Sequence, residues 1–188
     1  SARSYFVVDL DSNTVLAELD SHVRLPVASL VKIATAMTAL HLADSQRPIP
    51  ISVDAARTIP NRMGILPGDI LTVEELLYGL LLDSGNDAAA ALAEALGGTN
   101  EFVATMNMLA LDLQMENTNF TNPAGFDEPE NYSSAFDMAL LTRHILNEEP
   151  LLRLIVGTKR HIIESTPDHG WFGPTNLNRL LSQYPGAF

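Results

Sequence analysis

Hydrophobic and polar positions alternate in two short runs near the start of the chain, "SYFVVDL" and "TVLAEL", with the turn formers "DSN" between them. A two-residue period in β-branched and aromatic residues around such a turn predicts a β-hairpin over about residues 4–19. From Leu30 the period lengthens. Leu30, Ile33, Ala34, Met37 and Leu40 recur at helical spacing, so a helix is expected to begin near Ser29, with Pro26 marking its entry.

The proline-rich stretch "RPIPISVDAARTIPNRMGILPGD" has no sustained period and reads as surface loop with short pieces of structure. "TVEELLYGLLLD" follows, with Thr72 and Glu75 spaced as a capping box ahead of an apolar run, and predicts a helix ending near Asp83. After "SGN" a second helix, "DAAAALAEAL", is closed by Gly97 and Gly98. Thr99 opens a third through about Gln114, and "MENTNFTNPAGFDEPENYS" is a long polar loop of the kind that often serves a site. Ser134 with Asp137 caps another helix, and Pro150 starts a short apolar one through about Val156. "KRHIIES" is a candidate strand, and the tail has no strong period. The helical region thus runs over about residues 29–156, and a hairpin alone is too small to be stable without further strands.

At 188 residues the chain is expected to form one domain with its own core. A net charge of −12 argues against nucleic acid or an anionic membrane as partner, since both attract basic patches. With no cysteine, thiolate catalysis, thiolate metal sites and disulfides are excluded. The five histidines lie far apart in sequence, so packing or surface roles are expected for them and no metal is predicted. Met106, Met108 and Met115 read as core filler. Residues 25–43 are the only stretch approaching the length of a membrane span, but Pro26, Ser29, Lys32, Thr35, Thr38 and His41 interrupt it.

That same stretch holds one formally charged side chain, Lys32, three residues after Ser29. Snorkelling to water, a buried ion pair and chance each explain an isolated lysine, and Ser-x-x-Lys arises by chance on the order of once in a couple of hundred residues. A chemical reading competes with these. Residues three apart share a helix face, so Lys32 Nζ and Ser29 Oγ would meet at the first turn, where a neutral amine can take the hydroxyl proton. Lowering a lysine pKa from about 10.4 to about 7 needs roughly 4 to 5 kcal/mol of differential destabilisation, which an apolar surround supplies. A helix N-terminus would further stabilise an oxyanion formed in attack on a carbonyl. In "DSGND", Ser84 and Asn86 would project to the same side of an extended link, with Gly85 allowing close approach. Ser84 is then a candidate proton relay and Asn86 a candidate substrate-orienting amide. An ordinary turn with Asn86 or Asp87 capping the next helix explains the tripeptide equally well.

"PVASLVKIATAMTAL", "ILPGDILTVEELLYGLLLDSGNDAAAALAEALGG", "TNFTNPAGFDEPENYSSAFDMALLTRHIL" and "NLNRLLSQYPG" occur in the order found in serine-type D-alanyl-D-alanine carboxypeptidases, the low-molecular-mass penicillin-binding proteins. The resemblance covers almost the whole chain. It implies an α/β (α+β) fold of the penicillin-binding-protein and serine β-lactamase kind, a helical region with an antiparallel sheet. Ser29 is then the acylated nucleophile, Lys32 its base, and Ser84 and Asn86 the second active-site motif. The implied substrate is a peptidoglycan stem peptide ending in D-Ala-D-Ala, β-lactams would acylate the same serine, and no cofactor is needed. The implied location is the bacterial cell envelope, outside the cytoplasmic membrane.

The family also carries a Lys-Thr-Gly motif on a strand lining the site, and nothing in the 188 residues matches it. The expectation is therefore a piece of the enzyme. Further sheet strands, substrate-carboxylate contacts and any membrane attachment would then lie in a C-terminal region that joins this one, and the piece alone would be a poor catalyst. A class A-like β-lactamase and a non-catalytic module binding peptidoglycan or a partner are the alternative functions. Glu128 and Glu130 do not match the deacylating glutamate of class A enzymes and read as solvated loop charges.

Overall fold

The computed structural model describes residues 2–186. Strands β1 (Tyr5–Val8) and β2 (Val15–Leu19) form the expected antiparallel hairpin, with Tyr5 opposite Leu19 and a register shift between Val7 and Val8. Asp9 Oδ1 accepts from the Ser12 N–H at 2.8 Å and shapes the turn. A 3-10 turn at Ala28–Leu30 leads into α1 (Val31–Leu42). The helix therefore starts as predicted, but Ser29 sits in a tighter first turn than a regular α-helix provides.

The proline-rich stretch holds β3 (Pro48–Pro50), α2 (Val53–Ala56) and β4 (Ile70–Thr72), with β3 and β4 paired antiparallel. Sequence periodicity missed this ribbon because two prolines flank the single buried residue of β3, Ile49. Prolines are tolerated there because a three-residue ribbon needs few ladder donors. α3 (Val73–Leu82) begins at the predicted capping box: Thr72 Oγ1 accepts from Glu75 N and Glu75 Oε2 accepts from Thr72 N. α4 (Asn86–Ala95), α5 (Thr99–Asp112), α6 (Ala135–Glu148), α7 (Pro150–Gly157) and the short α8 (Leu180–Gln183) complete the helices.

α1 is the central post of the fold, packed against α3, α4, α5 and α6. From Val31 to Ala39 every residue except Ile33 is buried. Its low amphipathicity follows from that position, since a helix surrounded on all sides needs no polar face. The apolar cluster spreads from α1 through Leu76, Leu77, Leu80, Leu92, Phe102 and Met106. The hairpin leans on α6, where Phe6 meets Phe136 edge-on at 5.2 Å, while all of β2 is exposed.

Three expectations need correction. Met106 and Met115 are core residues, but Met108 is 46% exposed because it falls on the outer side of α5. "KRHIIES" does not form a regular strand; it makes only two isolated bridges, Arg160 with Thr175 and Ile163 with Phe172. Glu128, although exposed, is not merely solvated, because its Oε1 accepts from Asn122 Nδ2 at 3.0 Å. Among the described residues no helix is long and apolar enough to cross a membrane, and no cluster of side chains is suited to a metal ion.

Candidate active site

Lys32 is 2% exposed, and its Nζ lies 3.1 Å from Ser29 Oγ. The spacing of three residues delivers this pair directly, since Ser29 occupies the entry turn and Lys32 the first turn of α1. Lys32 makes no ion pair among the described residues. It donates instead to the Ala124 carbonyl at 2.6 Å, a partner 92 residues away. Burial pushes its pKa down to about 8. The shift is smaller than the fall to about 7 considered from sequence, so at pH 7 about one lysine in ten is neutral. Snorkelling is ruled out, because the amine ends inside the protein. Ser29 itself is exposed, as a group attacking a substrate from solvent must be.

The loop between α5 and α6 closes over the amine. Ala124 is buried, Thr35 Oγ1 donates to the Pro123 carbonyl at 2.7 Å, and Gly125 lies against the Ala28 carbonyl. Two consecutive carbonyls of the loop are therefore held by two side chains on one face of α1. Gly125 has φ 86, a left-handed conformation natural to glycine.

The Ser-Gly-Asn segment is a bend joining α3 to α4, and α4 packs on α1 beside it. It is not the extended link anticipated. Ser84 has φ 58, Gly85 is the cap residue of α4, and Asn86 is the first residue of that helix. Backbone bonds impose this shape: Gly85 N donates to the Gly79 carbonyl at 3.1 Å and Asn86 N to the Asn61 carbonyl at 2.8 Å. Ser84 Oγ is buried with no hydrogen-bond partner, and Asn86 is 4% exposed. Neither side chain hydrogen-bonds to Lys32, so the structure brings Ser29 and Lys32 into contact and leaves Ser84 and Asn86 without a bond to them.

Asp87 does not cap α4. Its carboxylate accepts from Met63 N and Gly64 N, each at 2.8 Å, and from Ala88 N at 2.9 Å, clamping the loop at residues 61–64 onto the bend. On the other side Asp83 Oδ1 accepts from Thr175 N at 2.9 Å. Burial raises the Asp83 carboxyl above the usual carboxylate range, more than the Thr175 bond lowers it, and the Asp87 charge adds to the rise. Sequence reasoning missed Ala124, Asn122 and this role of Asp87. A main-chain acceptor leaves no residue-type signal, and the partners are remote in the chain.

A buried amine lies beside an exposed hydroxyl at the start of the central helix of a mostly helical protein with small antiparallel sheets, and such an amine, when neutral, can activate such a hydroxyl as a nucleophile. The sequence profile of the D-alanyl-D-alanine carboxypeptidase family matches residues 1–185, and the chain belongs to that family. It is 35% identical to the D-alanyl-D-alanine carboxypeptidase DacF of Bacillus subtilis over 99% of this chain and 49% of that protein. Against DacB2 of Mycobacterium tuberculosis it is 37% identical over 99% of this chain and 64% of the relative. The chain thus spans between about half and two thirds of the length of these curated relatives. Among solved structures, a D-alanyl-D-alanine carboxypeptidase from M. tuberculosis superposes with a TM-score of 0.90 at 36% identity, covering 98% of this chain and 70% of that one. A mutant Streptomyces DD-transpeptidase superposes with a TM-score of 0.92 at 27% identity, covering 98% and 77%. The fold is accordingly that of the penicillin-binding proteins and DD-peptidases.

Proposed function

We propose that this chain carries the acylation machinery of a D-alanyl-D-alanine carboxypeptidase acting on peptidoglycan stem peptides in the bacterial cell envelope, outside the cytoplasmic membrane. The observation that carries the reading is the Lys32 amine, buried and 3.1 Å from an exposed serine hydroxyl. In its neutral form Nζ accepts the Ser29 proton as Oγ attacks the carbonyl of the D-Ala-D-Ala bond. The N–H of Ser29, which donates to no carbonyl among the described residues, stabilises the resulting oxyanion. Ser84, whose hydroxyl has no protein partner, relays the proton to the departing D-alanine nitrogen, and Asn86 orients the peptide amide. Water then releases the acyl group from Ser29. A β-lactam presents a strained amide to the same hydroxyl and is opened by the same steps.

Fluorescent penicillin tests this directly. Covalent labelling of the full-length protein that disappears in Ser29→Ala is the expected result, and labelling that survives the substitution removes Ser29 as nucleophile. Release of D-alanine from a diacetylated Lys-D-Ala-D-Ala peptide separates a carboxypeptidase from a module that only binds.

A further inference from the structure

Asn131 ties the ends of the loop over the amine together, its Nδ2 donating to the Phe126 carbonyl at 2.9 Å and its Oδ1 accepting from Thr121 N at 3.4 Å, and a second asparagine shapes the turn between them. Asn122, 8% exposed, uses both ends of its amide: Oδ1 accepts from Gly125 N at 2.7 Å and Phe126 N at 2.9 Å, while Nδ2 donates to the Phe126 carbonyl at 3.2 Å and to Glu128 Oε1 at 3.0 Å. These bonds close residues 122–126 on themselves and leave the Ala124 carbonyl pointing at Lys32 Nζ. Thr35 fixes only the preceding carbonyl, that of Pro123. Without the Asn122 oxygen, Gly125 N and Phe126 N lose their acceptor; Asn131 still holds the Phe126 carbonyl, but no other side chain accepts from the two N–H groups of the turn that presents Ala124.

Resting on the acylation reading above, we infer that Asn122 is a positioning residue, which through the Ala124 carbonyl keeps the Lys32 amine aimed at Ser29 and shielded from water. The carbonyl takes one N–H of the amine, and a tetrahedral nitrogen anchored at one corner has fewer directions in which to present its lone pair. The loop also forms part of the cover that desolvates the amine, and burial is the cause of its lowered pKa. The acidic residues of the loop are Glu116, Asp127, Glu128 and Glu130, and those at the bend between α3 and α4 are Asp83 and Asp87. None of these carboxylates hydrogen-bonds or ion-pairs with Nζ.

The chain holds two lysines, Lys32 and the exposed Lys159, so the side-chain 13C resonance of Lys32 can be titrated without crowding. Asn122→Ala is expected to raise the Lys32 midpoint by about one unit or more as water reaches the amine. Penicillin acylation is expected to slow by about tenfold or more. A midpoint that stays where it is in a folded Asn122→Ala protein overturns the inference, because a purely structural role would lower the melting temperature without moving that titration. Asn122→Asp keeps the accepting oxygens. Above pH 9, where charge on Lys32 no longer limits the rate, it is expected to acylate within about threefold of wild type, and a loss of about tenfold or more there also overturns the inference. Should the full-length protein resist penicillin, the hydrolase reading falls while the Lys32 titration still decides the role of Asn122.

Discussion

Gly125 approaches Ala28 so closely that a methyl group on its α-carbon would collide with the Ala28 carbonyl oxygen, one residue before the candidate nucleophile. The contact lies between two backbones, so no flexible side chain can yield. Gly125→Ala adds this clash to the strain of a left-handed φ, and a stability loss of about 2–4 kcal/mol is expected in urea denaturation. Penicillin acylation of the folded fraction should fall with it. Unchanged acylation would mean that the loop and the entry turn move independently.

Lys32 is expected to set the pH dependence of the proposed acylation. Acylation should rise with pH through about 8, following the neutral fraction of the amine. Stability carries the same signature. The native pKa lies below the unfolded one, so between about 8 and about 10.4 the unfolded chain binds more protons, and stability increases as pH rises through that window. Below about 8 both states are charged and this slope vanishes. Subtracting the profile of Lys32→Met from that of wild type isolates the effect, and a difference that is flat from pH 8 to 10 would show that the amine is not desolvated.

Ser84→Ala should separate stability from activity. The hydroxyl is buried without a partner, so removing it breaks no hydrogen bond and relieves a desolvation cost. The expected change is between zero and about 1 kcal/mol of stabilisation, together with slower acylation and slower release of D-alanine. Chemical denaturation beside a penicillin-labelling time course reads both quantities. A clear loss of stability would reveal a partner for that oxygen.

Asp87→Ala strips an acceptor from Met63 N, Gly64 N and Ala88 N at once. A loss of about 2–4 kcal/mol is expected, with faster hydrogen exchange at the amides of Met63 and Gly64. Exchange protection that persists at those two amides would show that the loop is held by other contacts.

The local features of this fold were readable in the sequence because they depend on residues a few positions apart. The hairpin, the Thr72–Glu75 box, the Ser134 cap accepting from Asp137 N, and Pro150 opening α7 all lie where the patterns put them. The Ser29–Lys32 contact belongs to the same class. What escaped depends on tertiary folding: the β3–β4 ribbon, the left-handed Ser84, the clamp from Asp87 to a loop more than 20 residues earlier, and the lysine's bond to Ala124. The last is made by a carbonyl that every residue has, so residue type at position 124 could not announce it.

The enclosure of α1 has a bearing on turnover. Four helices brace α1, which Ser29 leads into, so an acyl group joined to Ser29 as proposed would stand on a fixed base and extend from the exposed entry turn outward toward solvent. How long such an adduct survives is then governed by the approach of a hydrolytic water from the open side, and a bulky acyl chain lying across that opening would act as its own stopper.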